Sequence, residues 1–187
     1  LLGRLPDHTG ALVEQANALL DLQRPAEALT RLERVLVLQP EDPVALSNRG
    51  NAVLTMGDPA AALADYDRAL AADPRHADAL LNRGTALLEL QRPEEALESF
   101  DRALVQRPDW AEGHMNRATA LVALRRMEHA LEAYDRALAL RPRQAEILIN
   151  RGTALHRMGR HREAIADYDR ALALEPANRK AHSNRIF

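Results

Sequence analysis

Proline returns every 34 residues, at Pro6, Pro40, Pro74, Pro108, Pro142 and Pro176, and an Asn-Arg pair keeps the same step. The pair falls at Asn48-Arg49, Asn82-Arg83, Asn116-Arg117, Asn150-Arg151 and Asn184-Arg185. A fixed period of this length means one structural unit copied along the chain. Each copy is too small to bury its own apolar face and must stack on its neighbours. Function is then to be sought on the surface that the stack creates.

Within one period, Asp42 is placed to cap a helix and Pro43 to open it, because proline at the first helical position gives up an N–H that has no partner there anyway. The spacing of Leu46, Gly50, Val53 and Leu54 follows the helical period, and Gly57-Asp58-Pro59 breaks it. Asp58 caps a second helix whose Ala62, Leu63, Tyr66, Ala69 and Leu70 line one stripe, and Pro74 ends it. Each period therefore predicts a helix-turn-helix, and the chain an all-α solenoid. With 47% apolar but only 3% aromatic residues, its core is built from small helix contacts.

The run Gly50, Ala62, Tyr66, Ala69, Pro74 resembles the tetratricopeptide repeat. In that repeat, small residues let two antiparallel helices approach closely and an aromatic fills the gap between them. Counterparts stand at Gly84, Ala96, Phe100, Ala103 and Pro108, at Ala118, Ala130, Tyr134, Ala137 and Pro142, and at Gly152, Ala164, Tyr168, Ala171 and Pro176. The usual early tryptophan is replaced by Leu46, Leu80, His114 and Leu148, a usual leucine by the Arg column, and a usual mid-helix tyrosine by Val53, Leu87, Leu121 and Leu155. The resemblance implies a right-handed superhelix with the first helix of each pair on the concave side and the second on the convex side.

The chain 1–187 reads as a single array with full repeats at 9–42, 43–76, 77–110, 111–144 and 145–178. Residues 1–8 read as the end of a truncated repeat and 179–187 as the start of another. Natural arrays finish in polar caps, whereas Leu1, Leu2, Leu5, Ile186 and Phe187 are apolar. The expectation is a piece of a longer protein whose raw ends can stack between molecules. Arginine is abundant and Lys180 is the only lysine, a composition that points to a GC-rich, bacterial gene.

On the family mapping, Asn48, Asn82, Asn116, Asn150 and Asn184 point into the groove. Asparagine is a mediocre helix former, and its amide offers the donor and acceptor that a peptide unit needs. One turn along, Asn51, Thr85, Thr119 and Thr153 form a second polar column, and Leu81, Met115 and Ile149 lie beside the asparagines. Asp78, Glu112 and Glu146 stand at the rim, which favours ligands with some basic residues, and Lys180 stands at the far end. These residues are the candidate site for an extended peptide segment of a client protein. The asparagine column is similar to that of the repeat superhelix of O-linked N-acetylglucosamine transferases, where the resemblance implies protein-substrate binding ahead of a separate catalytic domain. Recent duplication would also copy an asparagine at each step, with the amides satisfying local backbone groups. Against this, the adjacent Ser47, Leu81, Met115 and Ile149 have drifted while the amide has not. A structural scaffold with no groove ligand is the alternative.

The Arg column has Asp67, Asp101, Asp135 and Asp169 at equal steps on the second helices, which predicts ion pairs between layers.

Other chemistries fit poorly. A carboxylate clamp of this family would match Asn17 and Asn48, but Val13, Asp78 and Asn82 stand where it needs basic residues. The seven histidines form no recognised ligand spacing, with His156 and His161 five apart across a turn, so no metal and no cofactor is expected. There is no phosphate-binding loop or nucleophile motif, so the segment reads as no enzyme. Twenty-five basic against 27 acidic residues give a net charge of -2 and no attraction to nucleic acid. No run approaches the roughly 20 apolar residues that span a bilayer, so no membrane partner is expected. The absence of cysteine fits a reducing compartment, which makes the cytoplasm the expected location.

Overall fold

The structure, a computed structural model, describes residues 8–185, and these are helical throughout apart from short connections. The ends expected to stack between molecules, Leu1, Leu2, Leu5, Ile186 and Phe187, lie outside the described residues, as does Pro6. The elements are α1 (Thr9–Asp21), α2 (Pro25–Leu38), α3 (Pro43–Thr55), α4 (Pro59–Ala72), α5 (Ala77–Glu89), α6 (Pro93–Gln106), α7 (Ala111–Ala123), α8 (Met127–Leu140), α9 (Ala145–Arg157), α10 (His161–Leu174) and α11 (Arg179–Arg185). They divide into two compact units, one ending at Arg92 and the other beginning at Pro93.

In the first unit α1 packs on α2 and α3 on α4, joined by connections short enough to force antiparallel pairing. α2 meets α3 and α4 meets α5, and the first helices α1, α3 and α5 also touch one another directly. In the second unit α7 packs on α8 and α9 on α10, with α7, α9 and α11 in contact as successive first helices. Each unit thus has a face built only from first helices.

The helix starts are those the sequence predicts. Asp42 accepts from the Ala45 amide at 2.7 Å and Asp58 from the Ala61 amide at 3.0 Å, with Pro43 and Pro59 opening the helices. Between paired helices the chain needs one residue in the left-handed region. Glycine fills that position at Gly57 (φ 88°) and Gly159 (φ 76°), but Gln23, Gln91 and Arg125 do so at φ 57–58°. Those three carry the steric cost that glycine avoids.

The close approach within each pair is equally specific. A Cβ added at Gly50 or Gly152 would lie 2.6 Å from the ring of Tyr66 or Tyr168, so the missing side chain is the space the ring occupies. Tyr66 is fully buried among Ala62, Ala86, Val53 and Leu54. Burial pushes the hydroxyls of Tyr66 and Tyr134 above the ordinary phenol range, with the Asp65 carboxylate adding to the effect at Tyr66.

Candidate functional site

The asparagine column begins with a bond that the sequence does not announce. Asn48 Nδ2 donates to Asn17 Oδ1 at 2.7 Å, and Asn82 Nδ2 donates to Asn51 Oδ1 at 2.8 Å. In the second unit Asn184 Nδ2 donates to Thr153 Oγ1 at 3.2 Å. Each donor sits 31 residues after its acceptor. In the first unit at Asn48 and Asn82, and in the second at Asn184, the second polar column of one layer thus accepts from the first column of the next. In these three rungs the amide bonds to a side chain of the neighbouring layer and not to local backbone.

Asn51 Oδ1 also accepts from the Tyr66 hydroxyl at 2.8 Å, so a single carbonyl joins the Asn82 amide to the aromatic of the core. Thr119 lies 3.4 Å from the Tyr134 hydroxyl in the same relation. Thr85, Thr119 and Thr153 each donate to a carbonyl four residues back, from Leu81 (3.2 Å), Met115 (3.1 Å) and Ile149 (2.8 Å), which leaves their oxygens free to accept.

All five ladder asparagines are half-buried. Among the described residues no protein group takes the Oδ1 of Asn48 or Asn82, so each keeps an acceptor and a second N–H after making its rung bond. Asn150 differs, since its Oδ1 accepts from Lys180 Nζ at 3.2 Å. In the first unit Asn17, Asn48 and Asn51 line an open hollow of about 400 Å³ together with Leu20, Asp21, Gln23 and Thr55. Asp21 is the only charged residue of that lining. Asp78, Glu112 and Glu146 stand in the first turns of their first helices.

The apolar members of the candidate site need correction. Leu81, Met115 and Ile149 are only 3%, 8% and 2% exposed, so their side chains pack within the helix layers and offer little surface to a ligand. A one-residue step turns a helix by 100°, enough to move a side chain from the open face to the packed one. Ser47 at the equivalent place is buried too.

The Arg column pairs as its spacing predicts. Arg83 Nε meets Asp67 at 2.6 Å, Arg117 Nε meets Asp101 at 2.6 Å, Arg185 Nε meets Asp169 at 2.5 Å, and Arg151 bonds Asp135. A second acceptor set escaped the sequence. Arg49 forks onto Asp65, and Arg151 forks onto Asp167 at 2.7 Å through both Nε and a terminal nitrogen. Asp65 and Asp167 are buried at 5% and 2% exposure, and their bonds hold Arg49 and Arg151 still more firmly protonated than arginine ordinarily is. The visible signal was the alternation of Asp65 and Asp167 with Ser99 and Ala133 at one place in the period.

Among the described residues no group of three or more His, Asp or Glu side chains is placed to hold a metal ion. Nor is any described helix long and apolar enough to cross a membrane.

In sequence, no curated protein matches the chain. Solved structures do match its fold. TTC0263, a thermophilic tetratricopeptide protein of Thermus thermophilus, is 26% identical with a TM-score of 0.78, over 95% of this chain and 97% of its own. MamA of Desulfovibrio magneticus RS-1 is 23% identical with a TM-score of 0.80, over 94% and 99%. YrrB, described as a tetratricopeptide protein with an unusual peptide-binding site, is 21% identical with a TM-score of 0.77, over 94% and 91%. These likenesses show an all-α solenoid of stacked helix pairs. Two family models described as tetratricopeptide repeat match residues 13–55 with 48–110, and residues 117–186. The 34-residue period is thus the tetratricopeptide repeat, and the chain belongs to that family.

Proposed function

We propose that this array holds an extended segment of a client protein against its asparagine ladder. The observation that carries the reading is the state of Asn48 and Asn82. Each amide is oriented by its rung bond yet keeps one donor and one acceptor for a peptide unit. Because the rung bond fixes the amide before a ligand arrives, little ordering is lost on binding. YrrB has the same fold and a peptide-binding site, so the fold is compatible with this use.

Within each unit, layers about 8–10 Å apart and a peptide advancing about 3.3 Å per residue put one asparagine at roughly every third ligand residue. Each contact contributes about 0.5–1.5 kcal/mol net, which gives broad recognition of modest affinity. Asn116, Asn150, Asn184, Asn51, Thr85, Thr119 and Thr153 complete the proposed contact set. The acidic Asp21, Asp78, Glu112 and Glu146 favour a client with basic residues, and no nucleic acid or membrane is part of the reading.

The rung bonds also favour a second reading, in which the amides serve only to join layers and the array is a scaffold. Replacing Asn82, Asn116 and Asn150 together by alanine separates the two. Loss of client capture with helical content intact supports the ladder as a binding surface. Unchanged capture removes that role and leaves the scaffold.

A further inference from the structure

His156 closes α9 and His161 opens α10, and their Nδ1 atoms lie 3.3 Å apart with the rings edge to face at 63°. The corresponding pairs in the other repeats are Leu20 with Pro25, Leu54 with Pro59, Leu88 with Pro93 and Val122 with Met127. Both positions are apolar in four repeats, and in the fifth both are histidine and meet across the turn. Three of the remaining histidines have structural duties. His76 Nδ1 caps the Ala79 amide at 3.2 Å, and the Nε2 atoms of His114 and His182 bond the Pro108 and Pro176 carbonyls at 2.8 and 2.9 Å. The pair at the α9–α10 turn bonds no backbone group: its two rings hydrogen-bond each other, and the same turn forms without them elsewhere.

We propose that His156 and His161 form a two-ligand site for a tetrahedral divalent transition ion of the Zn²⁺ class. Two imidazole nitrogens at Zn–N distances of about 2.0–2.1 Å subtend about 3.3–3.4 Å across a tetrahedral edge, which is the separation found here. A square-planar ion would draw them to about 2.8 Å. Arg160, in the turn between the two rings, does not oppose the ion as a free charge, because it is forked onto Glu163 at 2.7 Å through Nε and a terminal nitrogen. His161 is exposed and His156 half-buried, so the ion enters from solvent. Its two remaining positions take water, or a donor from whatever the array holds. Binding ties the last turn of α9 to the first turn of α10 and so stabilises this helix pair.

The test titrates the full chain with zinc chloride alone, followed by calorimetry and thermal melting. Wild type is expected to bind one Zn²⁺ per chain saturably and to melt higher with it, while Mg²⁺ does nothing. Losing even an outer partner of a metal ligand costs about tenfold or more in affinity, so His156→Gln and His161→Gln should each lose at least that and abolish the rise in melting temperature. Both lie at a surface turn, and retained helical circular dichroism shows that they fold. A wild type that fails to saturate at one ion per chain, or either variant binding as tightly as wild type, overturns the site.

Discussion

Asn82 donates its amide to Asn51 across 2.8 Å, and the same Asn51 oxygen receives the hydroxyl of buried Tyr66. Truncating the two asparagines should therefore have unequal effects. Asn82→Ala removes one part-exposed bond, about 0.5–1.5 kcal/mol, whereas Asn51→Ala also strands a buried hydroxyl and should cost about 1–3 kcal/mol. Urea unfolding of both single variants and the double variant measures the coupling. Equal losses would mean that Tyr66 does not depend on Asn51.

Arginines at one place in the period should differ just as clearly. Arg151→Ala leaves Asp167 buried without its fork, and removing one partner of such a pair costs about 3–5 kcal/mol. The lower end is expected, because Arg170 lies 3.5 Å from the same carboxylate. Arg117→Ala exposes only the half-exposed Asp101 and should cost about 0–1 kcal/mol. Chemical denaturation of the two variants side by side checks the difference.

The left-handed turns give a prediction of opposite sign. Arg125→Gly relieves a φ of 57° and is expected to stabilise the protein by up to about 1 kcal/mol, while Gly159→Ala should cost a similar amount. Thermal melts that move the same way for both would contradict the steric account.

Gly152→Ala forces a methyl against the Tyr168 ring at 2.6 Å in a packed core, where overpacking costs about 1–3 kcal/mol. The gain in helix propensity, about 1 kcal/mol, offsets only part of this. A lowered urea midpoint is expected, and a raised one would show that the ring moves aside freely.

Alkaline unfolding should report on the buried tyrosines. Their folded pKa is raised, so the stability they contribute is complete below the unfolded value of about 10 and is lost as pH rises above it. Tyrosinate absorbance should therefore appear together with loss of helix, and Tyr66→Phe should weaken that link.

The fold was readable because its determinants are local or periodic. Asp42 and Asp58 cap where they stand before Pro43 and Pro59, and Arg83 finds Asp67 at a spacing that recurs through the chain. The ladder was half readable. The asparagine column was visible, but its join to Asn17, Asn51 and Thr153 depends on how far one layer slides past the next, which no single-helix period contains. Leu81, Met115 and Ile149 were misplaced because adjacency along a helix says nothing about which side a neighbour packs on. Asp65 and Asp167 were missed because their column is broken by Ser99 and Ala133, and a search for unbroken columns passes over it.

The joints between layers are set by offsets of 31 residues for the amides and 16 for the arginine pairs, both contained within a 34-residue step. Excising or inserting one whole period therefore returns compatible partners to both kinds of joint, with Arg finding a carboxylate and Asn a polar acceptor at the seam. Unequal recombination can lengthen or shorten such an array while the seam heals itself, and only features confined to a single copy, such as the paired histidines, would be gained or lost outright.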